Sequence, residues 1–405
     1  MYKTLDVLDK CSLIDFCPIM GQGVYLFEEN NRKVIDLSTD LPFGYGNSII
    51  DNAIIRALHS GILVSSDNIN LKLKHEVSEK LCLLADFFEV ENTQKKVNGK
   101  VAFCNSSEDA IETAIKVARK RYNTLCDRNY NEIICFTGCF HGNSILAMSC
   151  NKNKKQKLGF EPLMDCFKTA KFNDIKSVEE LITEHTSAVL IEPTQIYYGI
   201  QKCEKKFLKE LRDLCDKHEI LLIFDETKCG CYKTNDFFAY QRFGIKPDIV
   251  CLGNNLAGGL NFGVSIMNNK SCTFYNKTNM YDYTNNIALN VANLFLNLID
   301  DYNFLEQLTL KSAIIKEQMS YLFKYSQNII DDVSCTDFLC TIKFNSDIDC
   351  NQVYKILFAN NLLVQVIDNN SILLNFPFII TKEQVEDVVE IIETTIKEIA
   401  IIERY

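Results

Sequence analysis

The chain has 405 residues, of which 47% are hydrophobic and 24% charged, a size and composition normal for a globular protein of more than one domain. Lys plus Arg number 43 against 53 Asp plus Glu, a formal net charge of -10. That balance removes the counterion-release term behind nonspecific nucleic-acid binding and makes DNA, RNA and anionic membranes poor partners. No apolar run approaches the length of a membrane span.

The N-terminal MYKTLDVLDKCSLIDFC has no signal-peptide core. Together with 18 scattered cysteines it points to a reducing compartment, the cytoplasm, and to free thiols that serve mostly as small core residues. The nearest metal pattern is Cys229 and Cys231, which lack a second pair at zinc-binding spacing, so no metal site is expected. The runs 23–27 and 33–37 predict a small antiparallel hairpin that feeds the main domain. From about residue 100 to 270, β-rich runs alternate with helix-period runs, the pattern of a mostly parallel sheet with crossover helices. Strands are predicted at 100–104, 132–136, 188–192, 221–225 and 249–252. Helices are predicted at 109–121, with Ala110, Ile111, Ala114, Ile115 and Ala118 on one face, and at 205–218. After Tyr283 a helical run from 287 to about 325 leads into strands at 341–344, 362–366 and 372–374 and a helix at 382–402. These divide the chain into an N-terminal segment of the small domain (1–42), a large domain (43–285) and a C-terminal small α+β domain (286–405).

Ligands of open α/β sheets bind beyond the carboxyl ends of the strands. Polar residues collect there: Asn105, Ser106 and Ser107; Phe140, His141 and Gly142; Glu192 and Gln195; Asp225 and Glu226; Asn254. The runs VAFCNSSEDAIETAIKVARK, FTGCFHG, LIEPTQ, LLIFDETKCGCYKT and GIKPDIVCLGNNLAGGLNFG resemble, in order and spacing, the landmarks of class-III pyridoxal-phosphate aminotransferases, the ornithine and acetylornithine enzymes above all. The similarity spans essentially the whole chain. It implies a fold-type-I dimer with the cofactor between the large and small domains. It also implies that Asp225 pairs with the pyridine nitrogen, that Phe140 stacks on the pyridine face with His141 following, and that Glu192, Pro193, Gln195, Glu226, Gly230, Thr234, Gly258 and Gly259 keep the pocket's frame.

The chain departs from the family's chemistry at several positions. Asn254 stands where the family has its Schiff-base lysine, and an amide neither forms an aldimine nor serves as a base. The phosphate loop Ser-Gly-Ala-Glu reads Ser106-Ser107-Glu108-Asp109, which places the Glu108 carboxylate where a helix N-terminus would hold phosphate; Ser106 and the acidic first turn also serve as a helix cap. A residue reaching the phosphate across the dimer aligns with Asp282. The substrate-clamping arginine aligns with the leucine of the run 373–378, which supplies no bidentate grip. The glutamine near the phenolic oxygen is Lys228, expected as an ion-paired lysine beside Asp225 and Glu226.

No catalytic residue is therefore assigned. The expected binding positions are Ser106, Ser107, Glu108, Phe140, His141, Glu192, Asp225, Lys228, Asn254 and Asp282, with pyridoxal phosphate implied by the resemblance and disfavoured by the charges. Three readings stand. The first is a degenerate aminotransferase acting as a binding or regulatory subunit, as a homodimer, paired with an active paralogue, or bound to another protein. The second is an enzyme using pyridoxal or pyridoxamine phosphate without the usual lysine. The third is an active enzyme carrying an artificial Asn254.

Overall fold

The computed structural model describes residues 16–402 except 67, 68, 70, 92, 126–130, 152–156, 198, 274–282 and 327. The continuous apolar runs of the predicted strands leave no face for water, as a sheet covered on both sides requires. Residues 133–136, 188–191, 221–224 and 249–252 are all buried. They form the middle of a seven-stranded sheet in the order Lys100–Cys104, Gly263–Met267, Ile249–Leu252, Leu221–Asp225, Thr186–Ile191, Glu132–Phe136, Phe167–Ala170. Gly263–Met267 runs antiparallel to both neighbours, and the other neighbouring pairs are parallel.

Two of these strands are absent from the sequence-based expectation. Phe167–Ala170 is an edge strand whose residues are mostly half-buried, so it lacks the apolar run of a central strand. Gly263–Met267 begins inside a glycine-rich stretch that reads as a turn. Its first residue must be small, because a Cβ there would lie 2.1 Å from the Ser106 carbonyl oxygen. This close approach sets the antiparallel strand beside the start of the helix Ser107–Leu125. That helix buries Ala110, Ile111, Ala114, Ile115 and Ala118 against the sheet.

Beyond the large sheet, the single helical run expected from 287 to 325 is two helices, Asn286–Leu298 and Tyr302–Tyr325. Asp301 separates them because its side chain caps the second helix, accepting from the Asn303 amide at 2.9 Å. The expected strand at 362–366 also divides. Leu362–Leu363 pairs in parallel with Lys33–Asp36 of the N-terminal hairpin, completing a four-stranded sheet with Met20–Gln22 and Tyr25–Phe27. Gln365–Asp368 joins a second four-stranded sheet with Ser371–Asn375, Leu339–Phe344 and Ile330–Thr336.

The expectation of uniformly free thiols needs one correction. Cys335 and Cys340 are partners across the hairpin of Ile330–Thr336 and Leu339–Phe344, with Cα atoms 4.2 Å apart, and are joined as a disulfide. Cross-strand register is invisible in a scattered cysteine count. No other disulfide joins the described residues, and of their remaining cysteines all but Cys17 are buried. Among the described residues no helix is long and apolar enough to cross a membrane.

Candidate active-site cleft

The carboxyl ends of the parallel strands converge on a cavity of about 240 Å³. Ser106, Ser107, Glu108, Phe140, His141, Lys228 and Asn254 line it, joined by Tyr197 and Thr227. Asp225 and Glu192 lie behind that wall, both almost fully buried. Asp282 falls outside the described residues. A larger cavity of about 440 Å³, between Lys33 of the hairpin and Asp387 of the last helix, lies away from these strand ends.

Asp225 has partners for both its oxygens. Oδ2 lies 2.6 Å from His141 Nδ1, and Oδ1 accepts from the Thr227 amide at 3.0 Å and the Thr227 hydroxyl at 2.6 Å. Burial opposes a charge on His141, but Cys139 and Asp225 beside it hold its pKa well above the usual imidazole value. The two side chains thus form a buried hydrogen-bonded pair. Glu192 accepts from the Phe140 amide at 3.1 Å. Burial pushes its pKa up to about 8, with His141 pulling it down and Asp225 pushing it further up. Glu226 is a structural acid: its carboxylate accepts from the amides of Ala239 at 2.6 Å and Tyr240 at 2.8 Å and holds the turn Ala239–Phe243.

The first turn of Ser107–Leu125 is capped as expected, because Ser106 Oγ accepts from the Asp109 amide at 3.0 Å while Asp109 accepts from the Asn105 amide at 3.1 Å. Glu108 does not compete for the amides of its own helix. Its carboxylate crosses to the next loop and accepts from Asn143 at 2.8 Å and Ser144 at 3.1 Å. Gly142 makes room for it: the backbone there has φ +135°, and a Cβ would lie 2.5 Å from Glu108 Cγ.

Asn254 opens the short turn Asn254–Ala257, and its Oδ1 accepts from the Phe262 amide at 3.3 Å. Lys228 is the single lysine among the described residues that line the cavity. Its partner is Asp40, not the expected Asp225 and Glu226. Burial disfavours its charge, yet Asp40 holds its pKa above the ordinary lysine value. Asp40 also accepts from Asn375 Nδ2 at 2.5 Å, and Asn375 Oδ1 accepts from the fully buried Lys233 at 2.6 Å. One polar chain therefore ties the N-terminal loop, the 225–234 loop and the last strand of the small sheet together.

The predicted platform, Phe140, already carries a ring. Tyr197 lies against it with centroids 3.9 Å apart and planes 32° apart. Tyr197, Thr227, Asp40, Asn375 and Lys233 are the site residues that sequence reasoning missed. The aromatic pair in QIYYGI, directly after LIEPTQ, was the available signal for Tyr197. Asp40 offers no signal, since it meets Lys228 from 188 residues away.

Comparison with known proteins follows the same lines. The Aminotransferase class-III family profile matches residues 11–396. The acetylornithine aminotransferase of Clostridium acetobutylicum is 30% identical over 389 residues, covering 93% of this chain and 95% of that protein. The acetylornithine aminotransferase of Agrobacterium fabrum is 27% identical, covering 91% and 90%. Among solved structures, the ornithine aminotransferase of Toxoplasma gondii superposes with a TM-score of 0.84 at 20% identity, covering 98% of this chain and 94% of that one.

Proposed function

Because the chain belongs to the class-III aminotransferase family and is ornithine/acetylornithine aminotransferase-like, we propose that it is a degenerate member which keeps the fold-type-I frame, does not transaminate, and acts as a binding or regulatory subunit. The observation that carries this reading is the lysine-free end of the strand Ile249–Leu252. Asn254 there is engaged with the Phe262 amide, and the one amine among the described residues of the cavity wall, Lys228, is held as an ammonium by Asp40. An ammonium in an ion pair has no lone pair with which to form an imine or take a proton.

Pyridoxal phosphate is the family's cofactor, and the residues of this cleft do not fit it. Tyr197 lies against Phe140, the ring on which a pyridine would stack, and both line the cavity. His141 and Thr227 take three of the roughly four hydrogen bonds that the Asp225 oxygens can accept, so Asp225 itself does not decide the fit. Glu108 adds a negative charge beside the helix N-terminus where a phosphate would sit. The Tyr197 and Glu108 contacts also weigh against an enzyme using the cofactor without a lysine, since that chemistry needs an open Phe140 and room for the phosphate.

For the partner, support comes from an apolar strip on the helix Ser48–His59 and the segment that follows. Ile49, Ile55, Leu58, Ile62, Leu63 and Val64 are all between 42% and 59% exposed. A run of this kind marks a surface that another chain covers, and an active paralogue or a second copy of this chain is the partner we favour. The deciding experiment is on the purified full-length protein. Pyridoxal phosphate is added, the sample is desalted, and absorbance and the conversion of ornithine or acetylornithine with 2-oxoglutarate are measured. The expected result is no retained chromophore and no turnover; catalytic turnover would sink the proposal.

A further inference from the structure

The last pairs of the hairpin Ile330–Thr336 and Leu339–Phe344 are Cys335 with Cys340, joined as a disulfide, and Thr336 with Leu339. The turn beyond them, Asp337–Phe338, is where the small sheet meets the loop 225–234. The Phe338 amide donates to the Lys233 carbonyl at 3.2 Å, and the Phe338 carbonyl accepts from the Phe376 amide at 2.8 Å. Leu339 is the register partner of Asn375, whose carboxamide accepts from Lys233 and donates to Asp40, the partner of Lys228 in the cavity wall. The disulfide thus closes the end of a hairpin on which the cleft's polar chain is seated.

As a permanent staple the bond contributes little. It joins residues only 5 apart in sequence, in a loop that the turn closes anyway, and a staple constrains the unfolded chain least when its loop is short. Its local effect is larger. The two Cα atoms are held at 4.2 Å, inside the roughly 4.5–5.5 Å of ordinary antiparallel partners. Two unbonded sulfurs need more room than that, so reduction moves the strands apart beside the turn. The bond is also approachable: Cys340 is buried, but Cys335 is half-buried and lies on a strand at the sheet's edge. No other disulfide joins the described residues, although most of their cysteines are buried thiols. That is the cysteine usage of a reducing compartment, where a disulfide is transient and serves as a sensor.

We propose that Cys335–Cys340 is a thiol–disulfide exchange site, with a dithiol as its reactant, that sets how tightly the Asp337–Phe338 turn holds the loop 225–234. One thiolate of the dithiol attacks Sγ of Cys335, and the Cys340 sulfur leaves with the electron pair and takes a proton. The second thiolate then attacks the dithiol's own sulfur in the mixed disulfide, and the Cys335 sulfur leaves and is protonated in turn. Two electrons and two protons pass to the protein, and the dithiol becomes a disulfide. The exchange uses no group of the strand-end cavity, so it stands or falls independently of whether that cavity transaminates.

The test equilibrates the folded full-length chain in mixtures of reduced and oxidised dithiothreitol. Samples are quenched with acid, unfolded and alkylated, and the labels on Cys335 and Cys340 are counted by mass. In parallel, deuterium exchange is followed at the Phe338 and Phe376 amides. A reversible two-electron transition is expected, with the circular dichroism unchanged. Both amides should exchange on the order of tenfold faster in the reduced protein, while the central-strand amides of Ile223 and Val250 keep their rates. Cys335→Ser should show the faster exchange in every mixture. A bond that dithiothreitol does not open in the folded protein, two thiols that persist in the oxidised mixture, or equal exchange at Phe338 and Phe376 in both forms would each overturn the proposal. These readings use the unmodified chain and do not depend on how the variant folds. Reduction that unfolds the chain would make the bond a structural staple and overturn the proposal as well.

Discussion

At residue scale, the carboxamide of Asn254 accepts from the Phe262 amide and so takes part in the loop's own hydrogen bonding. Restoring lysine alone therefore meets a cleft still filled by Tyr197 against Phe140. Asn254→Lys is expected to give no aldimine absorbance with pyridoxal phosphate, while Asn254→Lys with Tyr197→Ala, which clears the ring slot, gains a measurable band. A full aldimine band from the single change would instead favour an artificial asparagine in an active enzyme. Lys233 supplies a second residue-scale prediction. Burial lowers its pKa to about 7 from 10.5, so between those values the unfolded chain carries a proton that the folded protein does not. Stability attributable to this lysine thus rises with pH from about 7 to 10.5. Glu226 acts in the opposite sense. Its pKa is raised from 4.5 to about 8 by burial, so its contribution is complete below 4.5 and is lost as the pH rises through 8. Urea unfolding of Lys233→Met across pH 7 to 10 should lack the upward slope of the parent, and an unchanged slope would refute the assignment.

At element scale, the helix Ser107–Leu125 shows how local and tertiary signals combine. Its apolar spacing and its cap at Ser106 follow from neighbours in the chain, so the helix was legible as a sequence pattern, two residues short at its start and four at its end. Where the Glu108 side chain goes was not legible, because the Asn143 and Ser144 amides are brought to it by a separate loop whose path depends on Gly142. Glu108→Ala removes the acceptor of two amides that water can reach in part and is expected to cost about 0.5–1.5 kcal/mol of stability, read as a lower urea midpoint at constant slope. Glu108→Gln retains an acceptor and should lose less. The two strands missed in the large sheet and the split of the 287–325 run have the same origin: an edge strand, a glycine-led strand and an Asx-capped helix start all lack the apolar periodicity on which strand and helix expectations rest.

At the scale of the whole molecule, the exposed apolar strip is continuous with the pairing of Val64–Ser66 with Tyr283–Asn285, which adds the half-exposed Tyr283 ring beside it. If a second copy or a paralogue covers it, Leu58→Glu with Leu63→Glu places two charges in a desolvated interface and should shift the sedimentation of the purified protein to the monomer. Both side chains lie at the surface, so the folded core and its far-ultraviolet circular dichroism should be unchanged. A parent protein that already sediments as a monomer would remove self-association and leave the paralogue as the partner to test. The polar chain from Lys228 through Asp40 and Asn375 to Lys233 belongs to this scale too, because it joins segments from both ends of the chain around the cleft.

The sequence by itself determined the family frame, the central parallel strands, the placement of most of the expected cleft residues at their ends, and the absence of a lysine at position 254. These depend on residue type and on spacing along the chain. Only the tertiary structure decided what those residues touch. Tyr197 on Phe140, Asp40 on Lys228, Glu108 on the Asn143 and Ser144 amides, and the Cys335–Cys340 bond are all contacts between separate segments or across a strand register. Hydrogen bonds and ring contacts act over a few ångströms, and a linear spacing does not say which groups folding brings within that reach.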